Sequence, residues 1–372
     1  MAVVISGTGL FTPPESISND ELVQCFNQYV DNHNEENSQA IANGEITALS
    51  PSDSAFIEKA SGIKSRYVMS KKEILDVNIM SPRFVERPNE ALSMQAEIGV
   101  AAAKDALKAA NKTPADVDLI IVACAYTQRS YPAMAIEIQQ ALGCGGWAFD
   151  MLVACSAATF GIINAANAIR SGTAKTVLVI NPEILSPQIN YKDRDSHFIF
   201  GDVATASVIE DESTATGEHI FKIIAEQPIT QFSNNIRSNM GYTNACTPET
   251  LLAPDKFFIQ QGRKVFKELL PLIVSFISEQ LEESGLQADE LKRMWLHQAN
   301  INMNNFAAKK LLGRLPTLEE APVVLDEFAN TASSGSVIAF HKYKDDFKSG
   351  DKGLICSFGA GYSIGSLMVE RV

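Results

Sequence analysis

The chain is short of the residues that would build a disulfide framework, a histidine-rich metal centre or a membrane span. Of 372 residues only 6 are cysteine, and no two stand as Cys-x-x-Cys. That usage points to a reducing compartment. Histidine occurs 5 times, so each can be weighed singly. The apolar runs, such as Leu119 to Ala125 and Leu269 to Ile277, are far shorter than a bilayer needs. The start, Met1 to Ile5, lacks the basic residues of a signal peptide. Basic residues are outnumbered 31 to 44, a net charge of −13, which argues against a general nucleic-acid binder. An acidic protein partner would need a local basic patch to overcome that charge. With 46% hydrophobic and 20% charged residues the chain is not disordered. The expectation is a cytoplasmic protein with no membrane span. It is long enough for two domain-sized cores or one sandwich of two halves.

What the sequence does contain is a duplication. Val153-Ala154-Cys155-Ser156-Ala157 resembles Phe328-Ala329-Asn330-Thr331-Ala332. Upstream, Leu119 to Ala123 and Met294 to His297 are strand-like runs, each followed by a helical stretch ending in Leu-Gly, at Gly143 and Gly313. Downstream, Lys175 to Ile180 matches Lys352 to Cys356. Each half reads strand, helix, strand, helix, strand, which implies mostly parallel sheets with helices packed on them. The polar stretch Glu210 to Thr214 fits a boundary, giving halves 1–212 and 213–372. Residues from about 18 to 88 have no counterpart in the second half. They open with the capping box Ser18-Asn19-Asp20-Glu21 and a helix bearing Leu22, Phe26 and Val30 on one stripe. Such an insertion is either surface decoration or a cover for a site or dimer face.

Three residues stand at the ends of strand-like runs, where open parallel sheets place their sites. Cys155 opens a small-residue helical segment, and a helix start lowers a thiol's pKa. Taken alone it could equally be a small core cysteine. His297 precedes Gln298-Ala299-Asn300, and the duplication sets it on the same sheet edge as Cys155 and Asn330. Asn330 could instead simply cap the next helix. His33, His219 and His341 read as solvated. His197, in Asp193-Arg194-Asp195-Ser196-His197, does not match an established metal-ligand spacing. The run Ser357-Phe358-Gly359-Ala360-Gly361-Tyr362-Ser363-Ile364-Gly365 lacks the Gly-Lys-Ser/Thr of a phosphate loop. A tight turn presenting backbone N–H groups to an oxyanion fits it better.

Val-Ala-Cys-Ser-Ala, His-Gln-Ala-Asn, Asn-Thr-Ala-Ser-Ser-Gly-Ser and Gly-Ala-Gly-Tyr-Ser-Ile-Gly, in that order, resemble the β-ketoacyl-acyl-carrier-protein synthase III family of the thiolase superfamily. Ser61 to Arg66 and Phe200 to Ala206 extend the resemblance over nearly the whole chain outside the insertion. It implies an α/β, thiolase-like, duplicated five-layer αβαβα sandwich, usually a homodimer, and a catalytic triad of Cys155, His297 and Asn330. The implied reaction is a decarboxylating Claisen condensation. Cys155 takes an acyl group from an acyl-CoA or acyl-carrier thioester, and a malonyl-acyl-carrier protein is the second substrate. His297 and Asn330 would hold the enolate, and the N–H groups of Cys155 and Ala360 the acyl oxyanion. No metal or redox cofactor is implied.

The resemblance also marks departures. A tryptophan and an arginine that dock coenzyme A in many members correspond to Phe56 and Ala60, which puts ordinary coenzyme A docking in question. Tyr131, with Ala133 and Ala135 nearby, replaces a phenylalanine that reaches across the dimer into the acyl pocket. Phe358, Gly359 and Gly361 complete the expected substrate contacts. A carrier-docking arginine is replaced by Asn302, leaving Lys309 and Lys310, with Arg83 and Arg87 of the insertion as another patch. Two other functions remain open. One is head-to-head condensation of long acyl chains, for which Glu137 is the candidate base although its context reads as helix surface. The other is a non-catalytic acyl-thioester-binding subunit, against which the presence of Cys155 speaks.

Overall fold

The computed structural model describes residues 2–238, 247–250, 253 and 256–372. In the first half the strands are β1 (Val3–Phe11), β2 (Glu15–Ser18), β3 (Ser65–Val68), β4 (Leu119–Cys124), β5 (Trp147–Leu152), β6 (Thr176–Glu183) and β7 (Val203–Asp211). Its helices are α1 (Asn19–Glu36), α2 (Ser38–Ala42), α3 (Ser54–Ser61), α4 (Met94–Ala109), α5 (Met134–Leu142) and α6 (Ala157–Arg170). The second half contributes β8 (Phe221–Thr230), β9 (Ile236–Ser238), β10 (Phe258–Gln260), β11 (Leu291–Leu296), β12 (Lys352–Gly359) and β13 (Ser363–Arg371). With them run α7 (Gly262–Glu283), α8 (Ile301–Leu312), α9 (Leu325–Phe328) and α10 (Ser334–Lys342).

The strand order β11-β12-β13-β8-β1-β7-β6-β4-β5 is two sheets joined by a narrow seam. Only Val4↔Lys222 and Ile5↔Phe221 pair β1 with β8. Helices α6 and α10 each contact strands of both halves, so they form the layer between the sheets. Their small, fully buried faces (Ala157, Ala165 and Ala166 on α6, Ala339 on α10) allow that close approach. Helices α4 and α5 cover the outer face of one sheet, and α7 and α8 that of the other. The result is the expected five-layer αβαβα arrangement. The sheets are mixed rather than mostly parallel as expected: β4 runs parallel with β5 and β6, and β11 with β12, whereas β6-β7-β1 and β12-β13-β8 pair antiparallel. Helices cover both faces, so the core strands are still near-continuous apolar runs.

The duplication extends to backbone conformation. Ala154 has φ +45° and Ala329, its equivalent, φ +56°. One expectation is corrected. The run before Asn330 is not a strand but the single turn α9, and Asn330 makes only an isolated bridge to Phe200. The cause is Gln298, whose Oε1 accepts from Val324 N at 3.0 Å and Leu325 N at 3.2 Å. Its Nε2 donates to Leu296 O at 2.9 Å and Pro322 O at 3.3 Å. A buried side chain thus takes over bonds that a neighbouring strand would have supplied.

In the insertion, the Ser18–Glu21 capping box closes α1, and Leu22, Phe26 and Val30 are buried. These residues share a core with Phe198, Phe200, Ala329 and Ala332. The insertion therefore packs directly behind the loop that carries Asn330.

Candidate active site

One narrow cavity is lined by Cys155, His297, Asn330, Phe358 and Gly359, with Phe200, Ile236, Phe258 and Met303 among its apolar walls. Three junctions deliver the three polar side chains. Cys155 sits in a short turn, Ala154–Ser156, between β5 and α6. His297 follows β11 directly, its N–H donating to Cys356 O at 2.8 Å. Asn330 follows α9 and is pinned on both sides, its N–H to Ile199 O at 3.0 Å and its carbonyl accepting from Gly201 N at 3.1 Å. Its Oδ1 accepts from Ala332 N at 2.9 Å. That bond orients the amide so that Nδ2, a donor, is left to the cavity.

The glycine turn is shaped around the thiol. A Cβ on Gly359 would lie 2.6 Å from Cys155 Cβ and 2.9 Å from Sγ, so only glycine fits. The N–H groups of Ala360 and of Cys155 itself favour the ionised sulfur. These are the two donors assigned above to the oxyanion. Ser363 ties the turn down, its one hydroxyl proton shared between Ser156 Oγ at 3.0 Å and Ala360 O at 2.8 Å.

The electrostatics correct one expectation. Burial, followed by the negative field of Glu183, pushes the Cys155 thiol up to about 12, opposite to the helix-start argument. Helix α6 begins at Ala157, beyond the thiol, and desolvation outweighs its dipole. Burial also holds His297 down to about 4. The imidazole is then neutral near pH 7 and one ring nitrogen carries a proton it can donate. Its ring lies edge-on to Phe358 at 5.3 Å.

Among the other cysteines, Cys25, Cys124 and Cys356 are buried, Cys144 is half-buried, and Cys246 lies outside the described residues. None of the four described lines the cavity. His197 stacks on Phe26 at 4.6 Å and its Nδ1 meets the carbonyls of Asp193 and Arg194, so it belongs to the insertion's core. His341, read as solvated, is half-buried and bonds Thr8 Oγ1 at 2.8 Å.

The remaining expected residues stand outside the lining of the cavity. Phe56 packs edge-on against Phe198. The Arg194 guanidinium lies 4.3 Å from the Phe56 ring centre. Asn302, in place of the expected arginine, donates to the carbonyls of Lys59 and Ala60 at 3.4 Å and joins α8 to the end of α3. Lys309 and Lys310 lie in the last turn of α8 and are exposed. Tyr131 is 85% exposed, and neither it nor Gly361 lines the cavity. Glu137 is not a free surface base. It accepts from Ser93 N at 3.0 Å and pairs with Arg129 at 3.2 Å. Arg87 pairs with Glu97 at 2.7 Å.

Sequence reading missed Arg194 and Gln298. Arg194 stood inside the segment weighed only for metal, and Gln298 adjoins the histidine that drew attention.

Residues 149–227 match the family 3-oxoacyl-[acyl-carrier-protein] synthase III, and residues 281–371 match its C-terminal part. A β-ketodecanoyl-[acyl-carrier-protein] synthase of Pseudomonas aeruginosa is 51% identical over 349 residues, covering 94% of this chain and all of the relative. A β-ketoacyl-[acyl-carrier-protein] synthase III of Methylococcus capsulatus is 30% identical, with 98% of each chain covered. The crystal structure of the Aquifex aeolicus synthase III superimposes with a TM-score of 0.76 at 26% identity, over 99% of both chains. Xanthomonas campestris OleA, at 16% identity and a TM-score of 0.76, shares the fold. With its cysteine, histidine and asparagine converging beside a glycine turn, the chain belongs to the β-ketoacyl-[acyl-carrier-protein] synthase III family.

Proposed function

We propose that this enzyme primes its condensation with an eight-carbon acyl thioester and extends it with malonyl-acyl-carrier protein. The observation that carries the chain length is the 51% identity, over its whole length, to a β-ketodecanoyl synthase. A β-ketodecanoyl product has ten carbons, and malonyl retains two after losing CO2, so the primer has eight. The apolar walls at Phe200, Ile236, Phe258 and Met303 suit a hydrocarbon chain.

In this reading Cys155 attacks the acyl carbonyl, and the N–H groups of Cys155 and Ala360 hold the oxyanion. The outgoing thiol takes the proton that the cysteine loses. Malonyl-carrier then enters and gives up CO2, and the thioester oxygen becomes an enolate oxygen. Neutral His297 and the Asn330 Nδ2 donate to it. The enolate carbon attacks the acyl-cysteine, and the tetrahedral intermediate collapses to expel the Cys155 thiolate, which takes a proton from solvent. Departing CO2 drives carbon–carbon bond formation, and that solvent proton is the one the cycle consumes.

Arg194 over Phe56 supports docking of coenzyme A at the rim, since a guanidinium and an aromatic ring can bracket a purine. Carrier docking is assigned to Lys309 and Lys310. Lys310 lies 5.6 Å from the Phe306 ring centre, and Phe306 meets Phe266 of α7 beside Lys267. A homodimer is the proposed assembly. It is supported by β5, which among the described residues pairs only with β4 at the sheet edge and leaves Trp147 and Leu152 about half exposed. Among the described residues no helix is long and apolar enough to cross a membrane.

The test offers the protein acyl-CoA thioesters from acetyl to palmitoyl with malonyl-carrier, following acyl-enzyme by intact mass and product by kcat/KM. Octanoyl should give the highest value. A preference for acetyl would refute the assignment.

A further inference from the structure

Glu183, the last residue of β6, is fully buried. Among the described residues no cation pairs with it. Its partners are instead backbone and hydroxyl donors from two separate segments. Ala125 N donates to both oxygens, at 3.0 and 3.3 Å. Ser333 donates through its N–H at 3.3 Å and through its Oγ. Ala125 follows the end of β4. Ser333 closes the loop that presents Asn330.

That loop needs an anchor. Ala329 and Ala332, on either side of Asn330 and Thr331, have φ +56° and +44°, a left-handed conformation that alanine resists. Such a backbone persists only where its surroundings over-determine it. One end is held by Ile199 and Gly201 through the backbone of Asn330. The other end is held at Ser333.

We propose that Glu183 is a positioning residue, clamping the Asn330 loop to the end of β4 so that the amide donor is aimed at the enolate oxygen. This rests on the role given to Asn330 above. The clamp also has an electrical side. Burial pushes the Glu183 carboxyl up to about 8, against the pull of its Ser333 and Ala125 hydrogen bonds. The titratable groups its field reaches are the thiols of Cys124, on β4, and Cys155, beyond β5. Near pH 7 the carboxyl is mostly neutral and burdens the nucleophile little. Above pH 8 it ionises and opposes formation of the thiolate.

The experiment compares Glu183→Ala, Glu183→Gln and Asn330→Ala with the parent in two half-reactions: acylation of Cys155 by octanoyl-CoA, and decarboxylation of malonyl-carrier. At pH 7, Glu183→Ala should lose decarboxylation by about 100-fold, as expected for a donor misplaced by 1 Å, while acylation changes little. Glutamine keeps an accepting oxygen and should restore most of the lost activity. Between pH 8 and 10, Cys155 of Glu183→Gln should alkylate with iodoacetamide about tenfold faster than the parent, equivalent to one pKa unit. Below pH 7 the two should converge. Equal loss of both half-reactions in Glu183→Ala would overturn the inference, as would coincident alkylation profiles for parent and Glu183→Gln. Should the alanine variant fail to fold, the glutamine profile still decides. Parental decarboxylation in Asn330→Ala would remove the underlying assignment. Loss in that variant with none in Glu183→Ala would remove the clamp alone.

Discussion

Gly359→Ala tests whether the cysteine and the glycine turn are as closely fitted as the structure requires. The added Cβ would stand 2.6 Å from Cys155 Cβ, where ordinary contact begins at 3.4 Å, so the two must part by about 0.8 Å. Neither side yields easily. The cysteine turn includes Ala154 at φ +45°, and Ser156 Oγ donates to Ser363 O at 2.8 Å. Overpacking of this sort costs about 1–3 kcal/mol of stability. The kinetic cost should be larger, because a misplacement near 1 Å between reacting groups is worth about 100-fold. The assay is the rate of octanoyl transfer to Cys155, read by intact mass, with thermal unfolding alongside. Gly145→Ala is the control, since a Cβ there meets nothing within 4 Å. Acylation at the parental rate in Gly359→Ala would refute the argument that this turn frames the nucleophile.

Peptide mapping of the acyl-enzyme should place the label on Cys155 alone, and label retained on another cysteine in Cys155→Ser would reject the assignment. Because burial holds His297 down to about 4, it stays neutral as the pH falls from 8 to 5.5. Malonyl decarboxylation should therefore stay level across that range, and a decline centred near pH 6.5 would contradict the neutral-donor role. Lys309→Glu with Lys310→Glu should raise the KM for malonyl-carrier, and added salt should shrink the difference because exposed charges are screened beyond about 8 Å at physiological ionic strength. Acylation by octanoyl-CoA should change much less, and an unchanged carrier KM at low salt would move docking to another patch.

Cys155, His297 and Asn330 were legible in the sequence because each belongs to an ordered run of motifs on a duplicated chain. The layered fold was legible because apolar runs alternate with helical ones. What escaped depended on side chains acting at a distance. The cation over Phe56 comes from Arg194, far along the chain, and tertiary packing alone brings them together. The strand expected before Asn330 is a helical turn because Gln298 supplies hydrogen bonds that period-counting cannot see. The Cys155 thiol moved opposite to expectation because the helix-start argument is local, whereas desolvation depends on everything packed around the group. Glu183 did carry a signal, a lone carboxyl between Val177–Ile180 and Ile184–Leu185, but its partners lie on other elements.

The two halves put one backbone device to two uses. Ala154 and Ala329 occupy equivalent positions, both with positive φ, +45° and +56°, and the next residue in each half is Cys155 or Asn330. In both cases the chain turns sharply so that one polar side chain meets the cavity at a junction leading into a central helix, α6 or α10. In the proposed mechanism the nucleophile and the enolate donor are thus the same structural position filled with different chemistry. This explains why they converge from residues so distant in sequence: the pairing of the halves across α6 and α10 brings the equivalent turns together. His297 has its counterpart position at the end of β4, where the first half carries Ala125 instead, and Ala125 N is one of the donors that hold Glu183. In the roles proposed here, the second half uses that position for a donor to the enolate and the first half uses it to brace the Asn330 loop.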